Sequence, residues 1–174
     1  MKVSVIGTGY VGLVSGVCLA EKGHTVVCVD MDSNKVEKTN AGVPIIYEAG
    51  LNELLRKNIG SRFNATTDFR KAVLESDLSL IAVGTPYVGN EIDLGFIKEA
   101  SQQIGTTLRE KAAYHVVVVK STVVPGTTQN VVLPILENFS GKKAGIDFGV
   151  GMNPEFLREG VAVEDFMFPD RIVM

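Results

Sequence analysis

The chain has 174 residues, of which 45% are hydrophobic and 21% charged, so it can bury a core of its own and disorder is not expected. The formal net charge of −3 argues against a protein that binds nucleic acid through bulk positive charge. No apolar run approaches the length of a membrane span, and Met1 leads directly into the first predicted strand. We therefore expect a cytoplasmic protein without leader peptide or membrane anchor.

The first thirty residues predict a strand, a glycine-rich loop, a helix and a second strand. Lys2–Ile6 is a short run rich in β-branched residues, and Gly7-Thr8-Gly9-Tyr10-Val11-Gly12 follows at once. Residues 11–22 have helical periodicity, Thr25–Val29 is a second apolar run, and Asp30 ends it. A G-x-G-x-x-G between strand and helix, with an acid some twenty residues further on, indicates a dinucleotide-binding site.

Each residue type in this unit has a physical reason. Gly7 permits the tight turn, Gly9 leaves the backbone open to a pyrophosphate, and Gly12 lets the helix pack closely on the strand. Asp30 can accept hydrogen bonds from the ribose hydroxyls and would repel a 2′-phosphate, so the pattern predicts NAD rather than NADP. The alternative is a glycine-rich turn in a flavin-binding or nucleotide-free α/β domain.

The remaining chain alternates helical segments with short apolar runs, which predicts an α/β fold. Six strands joined by helices give a doubly wound, mostly parallel Rossmann-type sheet with helices on both faces. The further predicted helices are Ser33–Asn40, Leu51–Asn58, Phe69–Glu75, 94–110 capped by Asp93, and one opened by Pro125-Gly126-Thr127 that kinks or restarts at Pro134. The further predicted strands are Phe63–Thr66, 78–83, His115–Val119 and Phe148–Met152.

Two cysteines bear on the chemistry. Cys18 falls on the first helix and Cys28 within the second strand, so we expect free, buried thiols in a reducing compartment. No metal site is expected, because two cysteines and two separated histidines offer too few ligands.

Four predicted strand ends carry small or polar residues. In such sheets ligands bind beyond the carboxyl ends of the strands, so these segments are expected to line one rim. Isolated hydroxyls there also fit local caps or turns. The four segments are Gly7-Thr8-Gly9, Gly84-Thr85-Pro86, Lys120-Ser121-Thr122 and Asn153-Pro154-Glu155.

The last of these segments also predicts a helix start. Asn153 suits an N-cap and Pro154 the first helical position, which would place Glu155 and Glu159 four residues apart on one face. Two carboxylates at a ligand-binding rim can polarise a water or accept a proton. The alternative is that both acids only favour the helix N-terminus.

These motifs together resemble the UDP-glucose/GDP-mannose dehydrogenase family, and the resemblance covers essentially the whole chain. Members oxidise the C6 alcohol of a nucleotide sugar to a carboxylate and reduce two NAD in succession. The motifs are Gly7-Thr8-Gly9-Tyr10-Val11-Gly12, Gly84-Thr85-Pro86, Lys120-Ser121-Thr122-Val123, Asn153-Pro154-Glu155-Phe156-Leu157-Arg158-Glu159-Gly160 and Phe168-Pro169-Asp170-Arg171-Ile172-Val173.

The resemblance implies roles for individual residues. Catalysis is expected from Glu155, acting on water or on the alcohol proton, with Thr122 positioning the water. The residues expected at the cofactor are Gly7, Gly9, Tyr10, Val11 and Gly12 at the pyrophosphate, Asp30 and Lys35 at the ribose, Gly84, Thr85, Pro86, Ser121 and Thr122 toward the nicotinamide, and Glu159 between cofactor and substrate. The residues expected at the nucleotide sugar are Glu155, Phe156, Leu157, Arg158 and Glu159.

Family members continue into a second α/β domain that brings a nucleophilic cysteine, a lysine and an asparagine. We therefore expect residues 1–174 to form the NAD-binding, N-terminal part of a longer dehydrogenase, which is a homodimer when complete. Segments 160–166 and 169–171 favour UDP-glucose as substrate, whereas 140–145 and 148–151 also resemble the GDP-mannose branch. The alternative is a stand-alone NAD-binding module without chemistry. Glu155 and Glu159 argue against this alternative, because a module that only binds NAD needs no acids at the rim.

Overall fold

A computed structural model describes all residues 1–174 and begins with the predicted strand–helix–strand unit. Strand β1 (Lys2–Ile6) leads through the glycine loop into helix α1 (Tyr10–Glu21), and β2 (Thr25–Val29) returns parallel to β1. Eight of the twelve residues of α1 are buried, so the helix is held by packing on both its sheet side and its outer side. Gly23 follows the helix at φ +100°, a conformation that suits glycine.

The remaining elements follow the predicted alternation. The further helices are α2 (Ser33–Asn40), α3 (Leu51–Asn58), α4 (Phe69–Glu75), α5 (Gly95–Glu110), α6 (Leu133–Ser140) and α7 (Ala162–Met167). The further strands are β3 (Phe63–Thr66), β4 (Leu78–Ile81), β5 (Tyr87–Val88), β6 (Glu91–Ile92), β7 (His115–Val119) and β8 (Phe148–Met152).

Six strands form one fully parallel sheet in the order β3-β2-β1-β4-β7-β8. Because side chains alternate along a strand, Val26 and Cys28 enter one hydrophobic cluster while Val27 and Val29 pack into the other. Helices α1, α3 and α7 contribute to the first cluster, and α4, α5 and α6 to the second. The predicted doubly wound fold with helices on both faces is confirmed.

Local details differ from the predictions at two places, while the predicted restart at Pro134 is confirmed. The predicted polar loop after β4 contains a small antiparallel hairpin of β5 and β6. Strand β4 ends at Ile81 rather than at residue 83. Helix α6 is preceded by a π-helical turn over Thr128–Val132, and Pro134 lies in its first turn, as expected for a restart at this proline.

The helix predicted to start at Asn153 does not form, and this prediction was wrong. Residues 153–158 are irregular, and the last helix begins at Ala162. Asn153 is unavailable as a cap, because its side-chain oxygen accepts from Lys120 Nζ at 3.0 Å and its side-chain nitrogen donates to the Val173 carbonyl at 2.8 Å. Glu155 and Glu159 therefore do not share a helix face.

A chain of buried polar groups crosses the sheet toward the amino ends of its central strands. Ser79 Oγ lies 2.7 Å from Ser4 Oγ and 2.8 Å from His115 Nε2. His115 Nδ1 donates to the Ser76 carbonyl at 3.1 Å, so Nε2 is the ring nitrogen that accepts from Ser79. Lys111 Nζ donates to the carbonyls of Val73 and Leu74 in the last turn of α4 and to that of Ser76, which follows the helix. Each of these buried polar side chains therefore has a hydrogen-bond partner within the protein.

Both cysteines are free and fully buried, as predicted. Burial raises the pKa of Cys18 to about 12, so its thiol stays protonated. None of the helices combines the length and apolar character needed to cross a bilayer.

Candidate functional site

The glycine loop contains two positions that require glycine for packing and one that is open. Gly7 has φ +100°, and a Cβ there would lie 2.7 Å from the Ala82 carbonyl oxygen. A Cβ on Gly12 would lie 1.9 Å from the Gly7 carbonyl oxygen. A Cβ on Gly9, in contrast, would meet nothing within 4 Å. The backbone at Gly9 is therefore exposed at the N-terminus of α1, where free N–H groups attract an anion.

Asp30 is held at the end of β2, beside this loop. One of its carboxylate oxygens accepts from the amide and the hydroxyl of Thr8, and the other accepts from the Asp32 amide at 3.0 Å. Lys35 Nζ lies 3.9 Å away. Burial alone would raise the pKa of Asp30, but the hydrogen bonds from Thr8 and Asp32 outweigh it and the pKa lies below its usual range. Asp30 is therefore a carboxylate at neutral pH.

The loops after β4 and β7 touch each other on the same rim. The Thr85 hydroxyl donates to the Thr122 carbonyl at 2.8 Å. The Ser121 hydroxyl is buried and donates to the Val83 carbonyl at 2.7 Å, so this residue ties the two strand ends together. Thr122 itself is exposed, as are Gly84 and Pro86. A ligand at this rim can thus reach Thr122 directly.

Residues 153–160, hereafter the acidic loop, leave the end of β8 beside the same rim. The Asn153 amide extends the β7–β8 pairing by donating to the Val119 carbonyl at 2.9 Å. Glu155 is half-buried, and one of its carboxylate oxygens accepts from the Leu157 amide at 2.8 Å. The second oxygen has no protein donor. Lys120 is 6% exposed, and its burial lowers the pKa of the ammonium group. The nearby Glu155 carboxylate raises this pKa, but by less than burial lowers it.

Five residues of the acidic loop line a cleft of about 740 Å³, namely Asn153, Pro154, Phe156, Leu157 and Arg158. Arg158 reaches Asp165 through its guanidinium at 2.7 Å, and its amide donates to the same carboxylate at 2.9 Å. The Phe156 ring is half-exposed, with the Arg171 guanidinium 5.0 Å from its centroid. Leu157 packs against the core, and Glu159 is exposed. The cleft thus combines aromatic, apolar and cationic groups with the acids Glu164, Asp165 and Asp170.

Sequence reasoning missed Glu48, a buried acid between α2 and α3 that reaches this site. Its carboxylate accepts from the Tyr10 hydroxyl at 2.8 Å, the Gly160 amide at 2.7 Å and the Ala162 amide at 3.1 Å. Burial would raise the pKa of Glu48, but these donors outweigh it and the pKa lies below its usual range. In the sequence, the sole signal was a carboxylate within an otherwise uncharged loop, Ile45-Ile46-Tyr47-Glu48-Ala49-Gly50.

The structure brings the four predicted strand ends together at one rim. Gly7 packs on Ala82 beyond β4, Thr85 contacts the β7 end, and Lys120 contacts the β8 end. The open backbone at Gly9 and the ionised Asp30 fit the pyrophosphate and the ribose of a dinucleotide. Fold and site therefore define a dinucleotide-binding domain of the Rossmann type.

Comparisons with known proteins identify the family. Residues 1–174 match the model described as the UDP-glucose/GDP-mannose dehydrogenase family, NAD binding domain. The chain belongs to this family, and its cofactor is NAD, as predicted from Asp30 and the glycine loop.

The individual relatives are named for two different substrates. GDP-mannose 6-dehydrogenase of Pseudomonas aeruginosa is 51% identical over all of this chain and 40% of its own length. UDP-glucose 6-dehydrogenase AglM of Haloferax volcanii is 47% identical, again over all of this chain and 40% of its own length. A crystal structure of a ternary complex of the P. aeruginosa GDP-mannose dehydrogenase superposes with a TM-score of 0.96 over 99% of this chain and 40% of that one. The chain thus spans about two fifths of these relatives.

Proposed function

We propose that this chain binds NAD for an enzyme that oxidises the C6 alcohol of a nucleotide sugar to a carboxylate. The observation that supports this best is the convergence at one rim of the open backbone at Gly9 and the acidic loop that carries Glu155. A module that only binds NAD needs no half-buried carboxylate with an unoccupied oxygen at that rim. The chain spans about 40% of its relatives, so we further propose that it acts with a second domain.

The proposed cofactor contacts follow the sheet edge. The glycine loop, with Tyr10 and Val11, would hold the pyrophosphate, while Asp30 and Lys35 would hold the adenosine ribose. Toward the nicotinamide we place Gly84, Thr85, Pro86, Ser121 and Thr122, with Glu159 between cofactor and substrate. Because the Ser121 hydroxyl is buried against the Val83 carbonyl, its contribution is to hold the loop.

The proposed chemistry uses Glu155 as a proton acceptor. NAD supplies the hydride acceptor when bound. Oxidation of a primary alcohol to a carboxylate consumes one water, transfers two hydrides to two NAD and releases three protons. The Glu155 oxygen that has no hydrogen-bond donor within the protein can accept a proton from the alcohol or from a water beside Thr122. Phe156, Leu157 and Arg158 would contact the nucleotide sugar in the cleft.

We favour GDP-mannose as the nucleotide sugar, although the sequence motifs alone favoured UDP-glucose. The support is the 51% identity to a GDP-mannose 6-dehydrogenase, against 47% to a UDP-glucose 6-dehydrogenase. UDP-glucose stays the second candidate, because the structure of a UDP-glucose dehydrogenase from Pyrobaculum islandicum matches with a TM-score of 0.92. A homodimer and a cytoplasmic location stay predictions for the complete protein.

The substrate proposal is tested by following absorbance of reduced NAD. The complete protein should reduce NAD with GDP-mannose and more slowly or not at all with UDP-glucose; the opposite preference would restore the second candidate. The 174-residue chain alone should bind NAD without sustained reduction, because both of its cysteines are buried and no thiolate reaches the rim. Sustained reduction by the chain alone would contradict the proposed need for a second domain.

Glu155→Gln tests the proposed proton acceptor. The amide keeps the shape and the acceptor for the Leu157 amide, so folding should be retained. Turnover in the complete protein should fall ~10²–10⁴-fold, the usual contribution of a general base. Glu53→Gln, at an exposed acid of α3 outside the proposed site, is the matched control and should leave turnover unchanged. Unchanged turnover in Glu155→Gln would leave Glu155 a loop-forming residue only.

A further inference from the structure

Glu48 is the buried acid that the proposed chemistry does not use. It is 5% exposed, forms no ion pair, and is satisfied by three neutral donors. Burying a carboxylate is unfavourable unless hydrogen bonds replace its water. The fold therefore holds this charge at a position where three separate segments meet.

The three segments are the glycine loop, the loop that carries Glu48 and the end of the acidic loop. Tyr10 directly follows Gly9 and is the first residue of α1, so its backbone belongs to the N-terminus that faces the pyrophosphate. Gly160 ends the acidic loop, and Ala162 begins α7. One carboxylate oxygen, Oε1, accepts from both Tyr10 and Gly160, so the two contacts share an atom.

The other end of the acidic loop is fixed independently. Asn153 is held by Lys120 and by the Val119 carbonyl at the end of β7. Between its two ends the loop carries Glu155, the proposed proton acceptor. Its placement against the cofactor therefore depends at one end on the sheet and at the other on Glu48.

We propose that Glu48 is a positioning residue that couples NAD binding at the glycine loop to the placement of the acidic loop. An occupied pyrophosphate site restrains the Tyr10 backbone, the Tyr10 hydroxyl restrains Glu48 Oε1, and Oε1 restrains the Gly160 amide. Coupling of this kind is reciprocal, so a ligand that orders the acidic loop also tightens NAD binding. The inference rests on the proposed function only in placing the pyrophosphate at Tyr10.

Amide hydrogen exchange at Gly160 and Ala162, followed by NMR on the 174-residue chain, tests the coupling. Saturating NAD should slow exchange at both amides about fivefold or more, the usual lower range of coupling between two sites. In Tyr10→Phe this slowing should drop below about twofold, since the hydroxyl link is gone. Tyr47→Phe is the matched control, because the Tyr47 side chain is 91% exposed, and it should keep the full effect.

Glu48→Gln tests the anchor itself. The Gln amide nitrogen cannot accept, so exchange at Gly160 or Ala162 should rise about tenfold without NAD. Glu53→Gln, on the exposed side of α3, should leave both rates unchanged. Unchanged exchange at Val5, in the central strand, shows that the variant is folded.

Two outcomes are decisive. If wild-type chain binds NAD by calorimetry but exchange at Gly160 does not slow, or if Tyr10→Phe keeps the full slowing, the coupling is overturned and the proposed function stands. If the chain does not bind NAD, both are overturned. Should Glu48→Gln unfold, the Tyr10→Phe result alone decides.

Discussion

The two ends of the sheet both carry polar side chains, yet they use them in opposite ways. Toward the amino end, the buried Ser4, Ser79 and His115 are hydrogen-bonded in a row, and the buried Lys111 donates to backbone carbonyls, one of which also accepts from His115. At the carboxyl end, Glu155 keeps one oxygen without a protein donor, and the neighbouring backbone and hydroxyl groups are exposed. A polar residue near a strand end thus marks a candidate site only when the fold holds it in place and one of its donor or acceptor atoms has no partner within the protein.

This difference separates two kinds of consequence. At the carboxyl end, changes at positions with open space or free hydrogen-bonding capacity, such as Gly9 and Glu155, should alter ligand binding and leave the free energy of unfolding nearly unchanged. Changes at the amino end should do the reverse, because the groups there have no free capacity to offer a ligand. Three experiments test this contrast.

Gly9→Val should have the largest effect. Gly9 has φ −65° and open space around its Cβ position, so valine fits the fold but occupies the space of the pyrophosphate. NAD binding should be lost in calorimetry, with an unchanged melting temperature. Gly12→Ala is the contrasting variant: its Cβ would overlap the Gly7 carbonyl, so it should destabilise the fold by about 3 kcal/mol or more. Full NAD binding by Gly9→Val would show that this loop does not hold the pyrophosphate.

Asp30→Ala should weaken NAD binding by about 1–3 kcal/mol, the cost of unmade hydrogen bonds to a charged group. It should also narrow the preference for NAD over NADP, because the carboxylate that repels a 2′-phosphate is removed while Lys35 stays nearby. Titration calorimetry with both cofactors measures the two effects. Asp32→Ala is the control, since Asp32 caps α2 and should matter for stability alone. Equal affinity of the wild-type chain for both cofactors would contradict the role of Asp30.

His115 should give the amino end a pH-dependent stability. Burial, with the nearby Lys111, lowers the pKa of His115 to about 4, whereas an exposed histidine titrates near 6.5. Below pH 6.5 the unfolded chain binds a proton that the folded chain does not, so stability falls as the pH drops from about 6.5 to about 4. Between pH 7 and pH 5.5 the loss should be about 1 kcal/mol.

Denaturant unfolding of the wild-type chain and of a His115→Gln variant at both pH values measures the contribution of His115. The contribution is the difference between the two proteins, because carboxylates also titrate at the acid end. His115→Gln should lose about 1 kcal/mol less stability than wild type between the two pH values, and His24→Gln, at the second histidine, should lose as much as wild type. NAD affinity should not change in either variant. If His115→Gln and wild type lose the same stability between the two pH values, the prediction for His115 is wrong.

The sequence predicted the sheet and its glycine loop because the signals there are local. Alternating β-branched runs, the G-x-G-x-x-G spacing and Asp30 all act within thirty residues. The conformation of the acidic loop was predicted wrongly because residues distant in the sequence determine it. Lys120 donates to the Asn153 side chain, and the Gly160 amide donates to Glu48, 112 residues away. No short-range pattern contains such competition. The roles of individual site residues stay predictions for the same reason.

The strand order has a consequence for how the chain is made on a ribosome. Strand β2 pairs with β1, β3 adds beyond β2, and β4, β7 and β8 then add in turn on the other side of β1. Each new strand joins an existing edge, so no strand must be inserted between two already paired neighbours. Synthesis proceeds from the N-terminus, and the earliest strand is the one around which the others gather. Assembly can thus follow emergence, with β8 and the acidic loop arriving on a surface already built.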